Sequence, residues 1–356
     1  MQQPALKTLL YSLGSLRLAL VAMLALAITA LCTYKNPAIS INWVVLPLSL
    51  LGTNLLAAIL TNQRFRSQAG LMLFHLGLLA IIVLAAMGLM TSFEARLEIT
   101  EGQAFDPANV EIMHRGLWHS GHLDRIKFIQ GPVQVSYVSA QRRTGTRSQI
   151  RIADAAGQLQ PRTIGDRQIL DAEGYRFITT SNKGYSMILT WLGDDGTATS
   201  GAVHMPSYPL LAWKQDNEWS TPQGQQLSLS LQLADADRAE TDSAWTLDSE
   251  NVNAQLLVKT SGQEQLLAPS GTIRLERGSL RFEEVRMWMG YRIDYNPMLI
   301  WQFMAALFAV VGLGFHFWQK FSCSPLVQSP QTRPLLQASQ EEQAGQQEKP
   351  QRSLYA

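Results

Sequence analysis

Cysteine is nearly absent from this 356-residue chain: only Cys32 and Cys323 occur, and neither belongs to a CxxC pair. That excludes thiol–disulfide exchange and cysteine-based zinc sites. The polar stretch between the two holds no cysteine, so no disulfide braces it. Charge is scarce too: 16% of residues are charged and the net charge is +1, with no basic stripe beyond the flanks of apolar segments. A nucleic-acid footprint is therefore excluded. There is no phosphate loop, no GxGxxG, no HExxH and no GxSxG, and nothing marks a catalytic triad.

What is present is apolar and segregated. Hydrophobic residues make up 46% of the chain, an ordinary share, but they concentrate in 9–90 and 297–318. A helix crossing the hydrocarbon of a bilayer needs about 20 mostly apolar residues. Four windows qualify: Leu16 to Cys32, Ile41 to Leu60, Ala69 to Met90, and Pro297 to Trp318. The linkers 33–40 and 61–68 leave room only for turns. A cleaved signal peptide is the rival reading of the first window. Leu31 before Cys32 is a poor lipoprotein context, and the second helix follows at once.

Lys7, Arg17, Arg64, Arg66, Lys320 and Arg333 flank one side of these helices, and the opposite short loop has only Lys35. Short cytoplasmic loops carry the excess of Lys and Arg. Both termini are thus expected to be cytoplasmic and 91–296 external. Trp43, Tyr295 and Trp301 would mark the outer interface and Trp318 the inner one. The expected organisation is a three-helix membrane region (1–90), an external β-rich domain (91–296), a fourth helix (297–320) and a disordered cytoplasmic tail (321–356).

The external region reads as strands at Val133–Val138, Ser148–Ala153, Tyr175–Thr180, Met187–Leu192, Leu227–Leu233, Ala254–Thr260 and Gly271–Leu275. Turn signals stand at Ala155-Ala156-Gly157, Gly193-Asp194-Asp195-Gly196 and Ser261-Gly262, and 234–251 is an acidic loop. The fold class expected is four transmembrane helices with a large antiparallel β-rich domain, a sandwich or barrel, inserted between the third and fourth.

Histidines are the candidate functional residues. His114, His119 and His122 fall within nine external residues, either as a surface loop or as a metal or haem contact. His75 and His316 lie in membrane helices, where an ionisable side chain is costly and marks a functional candidate. At a rise of about 1.5 Å per residue, His75 lies roughly 10 Å inside its helix. Neutral imidazole suits haem iron. The bland alternatives are a hydrogen bond from His75 to a neighbour such as Asn54, and headgroup contact for His316. Gly70, Gly77, Gly312 and Gly314 leave room either for a flat macrocycle or for close helix contact.

Several short motifs carry a resemblance: Gly14-Ser15-Leu16-Arg17-Leu18 entering the first helix, Phe74-His75-Leu76-Gly77 in the third, Leu97-Glu98-Ile99-Thr100-Glu101-Gly102 opening the external domain, and Tyr291-Arg292-Ile293-Asp294-Tyr295-Asn296-Pro297 re-entering the membrane. In this order, residues 1–320 resemble the ResB (CcsB) family of system II cytochrome c biogenesis proteins. The external domain is short for that family. The resemblance implies a non-catalytic subunit of a haem-attaching complex. Such a subunit works with a CcsA (ResC) partner to carry haem b across the bilayer and present it to the CxxCH of apocytochrome c. It implies His75 as an axial haem ligand, with the opposite ligand coming from the partner; His316 is the weaker, intramolecular candidate, because it too lies in the cytoplasmic half of the membrane. The competing readings are a membrane-anchored sensor and an envelope scaffold without cofactor.

Overall fold

A computed structural model describes residues 3–323, apart from 37, 139–141, 155–156, 235–242, 251 and 261. The turn residues Ala155, Ala156 and Ser261, much of the acidic segment 234–251, and the tail beyond 323 lie outside the described residues. The helices are α1 (Gln3–Leu13), α2 (Leu16–Lys35), α3 (Val45–Thr61), α4 (Gln63–Ser67), α5 (Ala69–Thr91) and α6 (Leu299–Cys323). Four are long and apolar enough to cross a bilayer: α2, α3 with the 3-10 turn that leads into it, α5 and α6. Ser15 caps α2, its Oγ accepting from Leu18 N, so the chain turns sharply after α1. Asn54, buried in α3, donates to the carbonyls of Leu13 and Ser15 and ties that turn to the bundle. It is therefore not the partner of His75.

The strands are β1 (Phe93–Thr100), β2 (Glu111–Arg115), β3 (Phe128–Val138), β4 (Arg142–Ala153), β5 (Leu159–Gly165), β6 (Leu170–Ala172), β7 (Tyr175–Gly193), β8 (Ala198–His204), β9 (Asp216–Ser220), β10 (Gln226–Leu233), β11 (Trp245–Leu247), β12 (Ala254–Lys259), β13 (Glu264–Leu267), β14 (Thr272–Leu275) and β15 (Gly278–Tyr295). All pair antiparallel, in three sheets. The largest runs β2-β1-β15-β7-β6, with β14 added on β15 and β8 on β7. The others run β13-β12-β10-β9 and β11-β3-β4-β5. The expected strands Tyr175–Thr180 and Met187–Leu192 are two ends of the single strand β7. Its polar middle is the irregular part: between the pairs Met289–Lys183 and Tyr291–Thr179 only Gly290 of β15 lies opposite residues 180–182 of β7, so β7 bulges there and pairing resumes on either side.

One geometric feature joins membrane and domain. Only Ser92 separates α5 from β1, and only residues 296–298 separate β15 from α6. Helices α5 and α6 meet at Gly70 against His316 and at Gly77 against Ala309, and β1 pairs with β15 from Phe93 against Tyr295. The antiparallel helix pair therefore continues as an antiparallel strand pair, and the domain is seated on α5 and α6 directly.

The Glu101-Gly102 turn locks the sheets together. Glu101 is buried, and its carboxylate accepts from Val133 N (2.7 Å), Ser249 Oγ (2.6 Å) and Met287 N (3.1 Å). Gly102 has φ +85°, and a Cβ there would strike the Arg286 guanidinium. Replacing Glu101 by Ala strands two buried backbone N–H groups, each worth about 1–3 kcal/mol. The expected result is a loss of roughly 3–5 kcal/mol, read by chemical unfolding of the purified full chain. Burial raises the Glu101 pKa above 4.5, an effect only partly opposed by its hydrogen bonds. The folded protein then holds the proton longer than the unfolded chain. Stability falls as pH rises from 4.5 through the raised value. A pH slope in that window as steep in Glu101→Ala as in the parent would contradict this.

Candidate functional site

His75 lies on α5, half-buried. Its Nδ1 sits 2.7 Å from the carbonyl oxygen of Leu71, one turn earlier on the same helix. A carbonyl only accepts, so Nδ1 carries the proton and Nε2 keeps its lone pair. A hydrogen-bonded second nitrogen is the usual arrangement of a metal-ligating histidine, because it fixes tautomer and ring orientation. Phe65 of α4 lies against the imidazole, with centroids 4.1 Å apart and planes at 33°, and Phe74 meets it edge-on at 5.2 Å. The one nitrogen left free here has the chemistry to bind a haem iron.

His316 is placed differently. A Cβ on Gly70 would stand 2.4 Å from His316 N, one on Gly77 2.8 Å from Ala309 N, and one on Gly312 2.6 Å from Phe74 N. These glycines bring the two backbones into contact and leave no gap for a macrocycle between them. Gly314 has nothing within 4 Å of its Cβ position and faces away. At about 100° per residue, His75 stands roughly 140° around α5 from the line Gly70–Phe74–Gly77 that touches α6. The structure therefore does not bring His75 and His316 together. His316 instead lines a groove of about 370 Å³ with Gln68, Gln319 and Lys320.

The histidines of 114–119 have a structural task that the sequence does not reveal. Each helix ends with four carbonyls lacking intrahelical donors. At the end of α5, Gly88 O accepts from Ser92 N, and Leu89 O lies 3.1 Å from His114 Nε2. Met90 O accepts from Trp118 N (2.7 Å), and Thr91 O lies 3.1 Å from His119 Nδ1. Segment 114–119 is thus the cap of α5. Gly116 permits it, since a Cβ there would fall 2.2 Å from Met90 O. His119 Nε2 lies 2.8 Å from the Tyr175 hydroxyl, and its ring stacks on Phe93 and meets Tyr295 edge-on. His122 stands apart, exposed, 4.0 Å from Asp124. No group of three or more His, Cys, Asp or Glu side chains suited to a metal ion occurs among the described residues.

Burial holds the His119 pKa below 6.5, partly offset by its bond to Thr91 O, with Arg115 and His114 adding to the depression. The unfolded segment then binds a proton more readily than the folded one. The cap is fully stable above pH 6.5 and weakens as pH falls toward the lowered value. Hydrogen exchange of residues 112–119 should speed up between neutral pH and pH 5.5, after correction for intrinsic rates. In His119→Phe the pH dependence should vanish, and its persistence would place the titrating group elsewhere.

No protein-family profile and no curated protein matches the chain. Among solved structures it is similar to one named cytochrome c heme lyase CcmF. The identity is 11% and the TM-score 0.28, over 88% of this chain and 39% of that one. This chain therefore corresponds to well under half the length of that structure.

Proposed function

We propose that this chain is a haem-handling membrane subunit of cytochrome c assembly, of the ResB type. It would lie in a bacterial inner membrane with its termini cytoplasmic and its β domain periplasmic. The reading rests on one observation above others: the membrane histidine of the Phe74-His75-Leu76-Gly77 motif has its Nδ1 proton engaged by Leu71 O, which leaves Nε2 to bind iron. The sequence resemblance and the Lys/Arg bias of the short loops support the setting.

In this role His75 supplies one axial ligand, Leu71 holds its tautomer, and Phe65 and Phe74 hold the ring in place. A bound haem would supply an iron centre for the imidazole and the macrocycle destined for the CxxCH of apocytochrome c. The contact between α5 and α6 leaves no slot for a ring shared with His316, and the resemblance implies that the second ligand would come from a CcsA (ResC) partner. The chain itself is a non-catalytic subunit.

The test is attachment of haem b to a CxxCH reporter in a host stripped of its own maturation system. The chain alone should give no covalent haem, and co-expression of a CcsA-type protein should restore it. Robust attachment by the chain alone would sink the subunit role.

A further inference from the structure

A groove of about 740 Å³ lies where α6 leaves the strands. One wall is apolar and belongs to the membrane helices: Ile81 of α5, with Leu299, Ile300, Phe303 and Ala306 of α6. Ile300 and Phe303 are 62% and 64% exposed, so this wall faces the bilayer. The other end is polar and belongs to the β domain: Asp171 of β6 and Arg176 of β7. A two-residue turn joins these strands, and Glu173 and Gly174 both have positive φ, at 52° and 79°.

Asp171 and Arg176 are register partners and project on one face of the sheet. Neither belongs to an ion pair within 4 Å, although nine such pairs occur among the described residues. Asp294, which also pairs in register with Arg176, is engaged by Arg292 Nε at 2.9 Å. Asn296 lines the same end. Its Oδ1 accepts from Met298 N, which leaves its amide N–H groups to donate.

The groove thus offers an apolar wall at the depth of acyl chains and, at the depth of headgroups, one cation beside one anion. We infer that it holds a phospholipid bearing a primary ammonium, of the ethanolamine type, in the leaflet on the side of the β domain. The phosphate lies on Arg176, with Asn296 as an added donor, and the ammonium on Asp171. A guanidinium suits a phosphate oxygen. A carboxylate discriminates a primary ammonium, which has three N–H donors, from a choline headgroup, which has none. Haem shares the apolar-body, anionic-head chemistry, but no residue lining this groove is a histidine, cysteine or methionine that could ligate its iron.

Native mass spectrometry of the full chain in mild detergent tests this. The probes are phosphatidylethanolamine, phosphatidylcholine and phosphatidylglycerol at equal concentration, water-soluble glycerophosphoethanolamine, and hemin. The ethanolamine lipid should be retained about fivefold or more over the choline lipid, and the soluble headgroup should not bind without acyl chains. Arg176→Gln should lower retention by a similar factor, Asp171→Asn should erase the ethanolamine-over-choline preference, and Arg162→Gln, in a different groove, should change neither. Equal retention of all three lipids by the parent protein overturns the proposal, and this comparison needs no variant to fold. Glycerol lipid held as well as ethanolamine lipid overturns the ammonium assignment. Hemin retained through Arg176 in place of lipid overturns the choice of ligand.

Discussion

Replacing His75 by Ala should lower haem content and cytochrome c yield by about tenfold or more while the protein accumulates at its normal level. In the proposed role His75 would supply the bond that holds iron at this point, and changes around metal ligands alone cost about 10–100-fold at metal sites. The side chain donates only to the carbonyl of its own helix, so its loss leaves no group on another element unpaired. Phe65 and Phe74 remain to line the vacated space. Added imidazole should enter that space and restore part of the haem absorbance. A purely structural histidine would show neither the loss nor the rescue. His316→Ala should leave haem content unchanged, because that residue meets α5 through its backbone at Gly70. Full haem content and full maturation in His75→Ala would reduce this residue to a satisfied polar group. Phe65→Ala should act in the same direction and more weakly, since it removes support for the ring and leaves the donor atom in place.

The membrane half of this structure is legible in the sequence because its signal is coarse. A run of about 20 apolar residues has few other uses, and the four windows fall on α2, α3, α5 and α6. The glycines near His75 and His316 left two readings open, a cofactor slot or a close helix contact. The structure assigns Gly70, Gly77 and Gly312 to contact and leaves Gly314 free. The spacing holds the answer in principle: Gly70 and Gly77 on one helix, and Ala309 and Gly312 on the other, form small-residue lines at about whole turns. The β domain is less legible. Strands with one wet face, such as β10 and β12, alternate cleanly in burial. The longest pair does not. Residues 287–291 of β15 are buried on both faces, so Met287-Trp288-Met289-Gly290-Tyr291 has no period to read. The role of His114 and His119 was invisible for another reason. A helix cap supplied by a segment more than twenty residues away leaves no local pattern. Glu101 shows the same limit: its Glu-Gly signature is visible, but its three hydrogen-bond partners come from residues 133, 249 and 287.

Gly77→Leu should force α5 and α6 apart. Its Cβ would stand 2.6 Å from Ala309 Cβ, 2.7 Å from Ala309 Cα and 2.8 Å from Ala309 N. Two of those three atoms are backbone, so no rotamer change relieves the clash and α5 must part from α6. Between membrane helices no hydrophobic effect compensates, because lipid tails are as apolar as leucine, and association depends on close packing and interhelical hydrogen bonds. Parting the helices lengthens the bond from Gln302 Nε2 to Leu84 O, now 3.0 Å, and opens the contact of Gly312 with Phe74. Overpacking a well-packed contact costs about 1–3 kcal/mol or more. Here the damage also passes upward, since the helix pair continues into β1 and β15, and splaying it strains the Phe93–Tyr295 register. The expected outcome is a large drop in the melting temperature of the detergent-purified chain and in its membrane abundance. Gly314→Leu is the matched control: it has the same residue change, in the partner helix, with open space at its Cβ, and should melt as the parent does. Small-residue substitution at the opposing position gives a second arm. Ala309→Gly in the Gly77→Ala background should recover only part of the stability lost by Gly77→Ala alone, because it removes the Cβ contact and leaves the Cα and N contacts in place. Equal melting of Gly77→Leu and Gly314→Leu would mean that α5 and α6 do not touch at this point, and that the direct seating of the β domain on the helix pair is wrong.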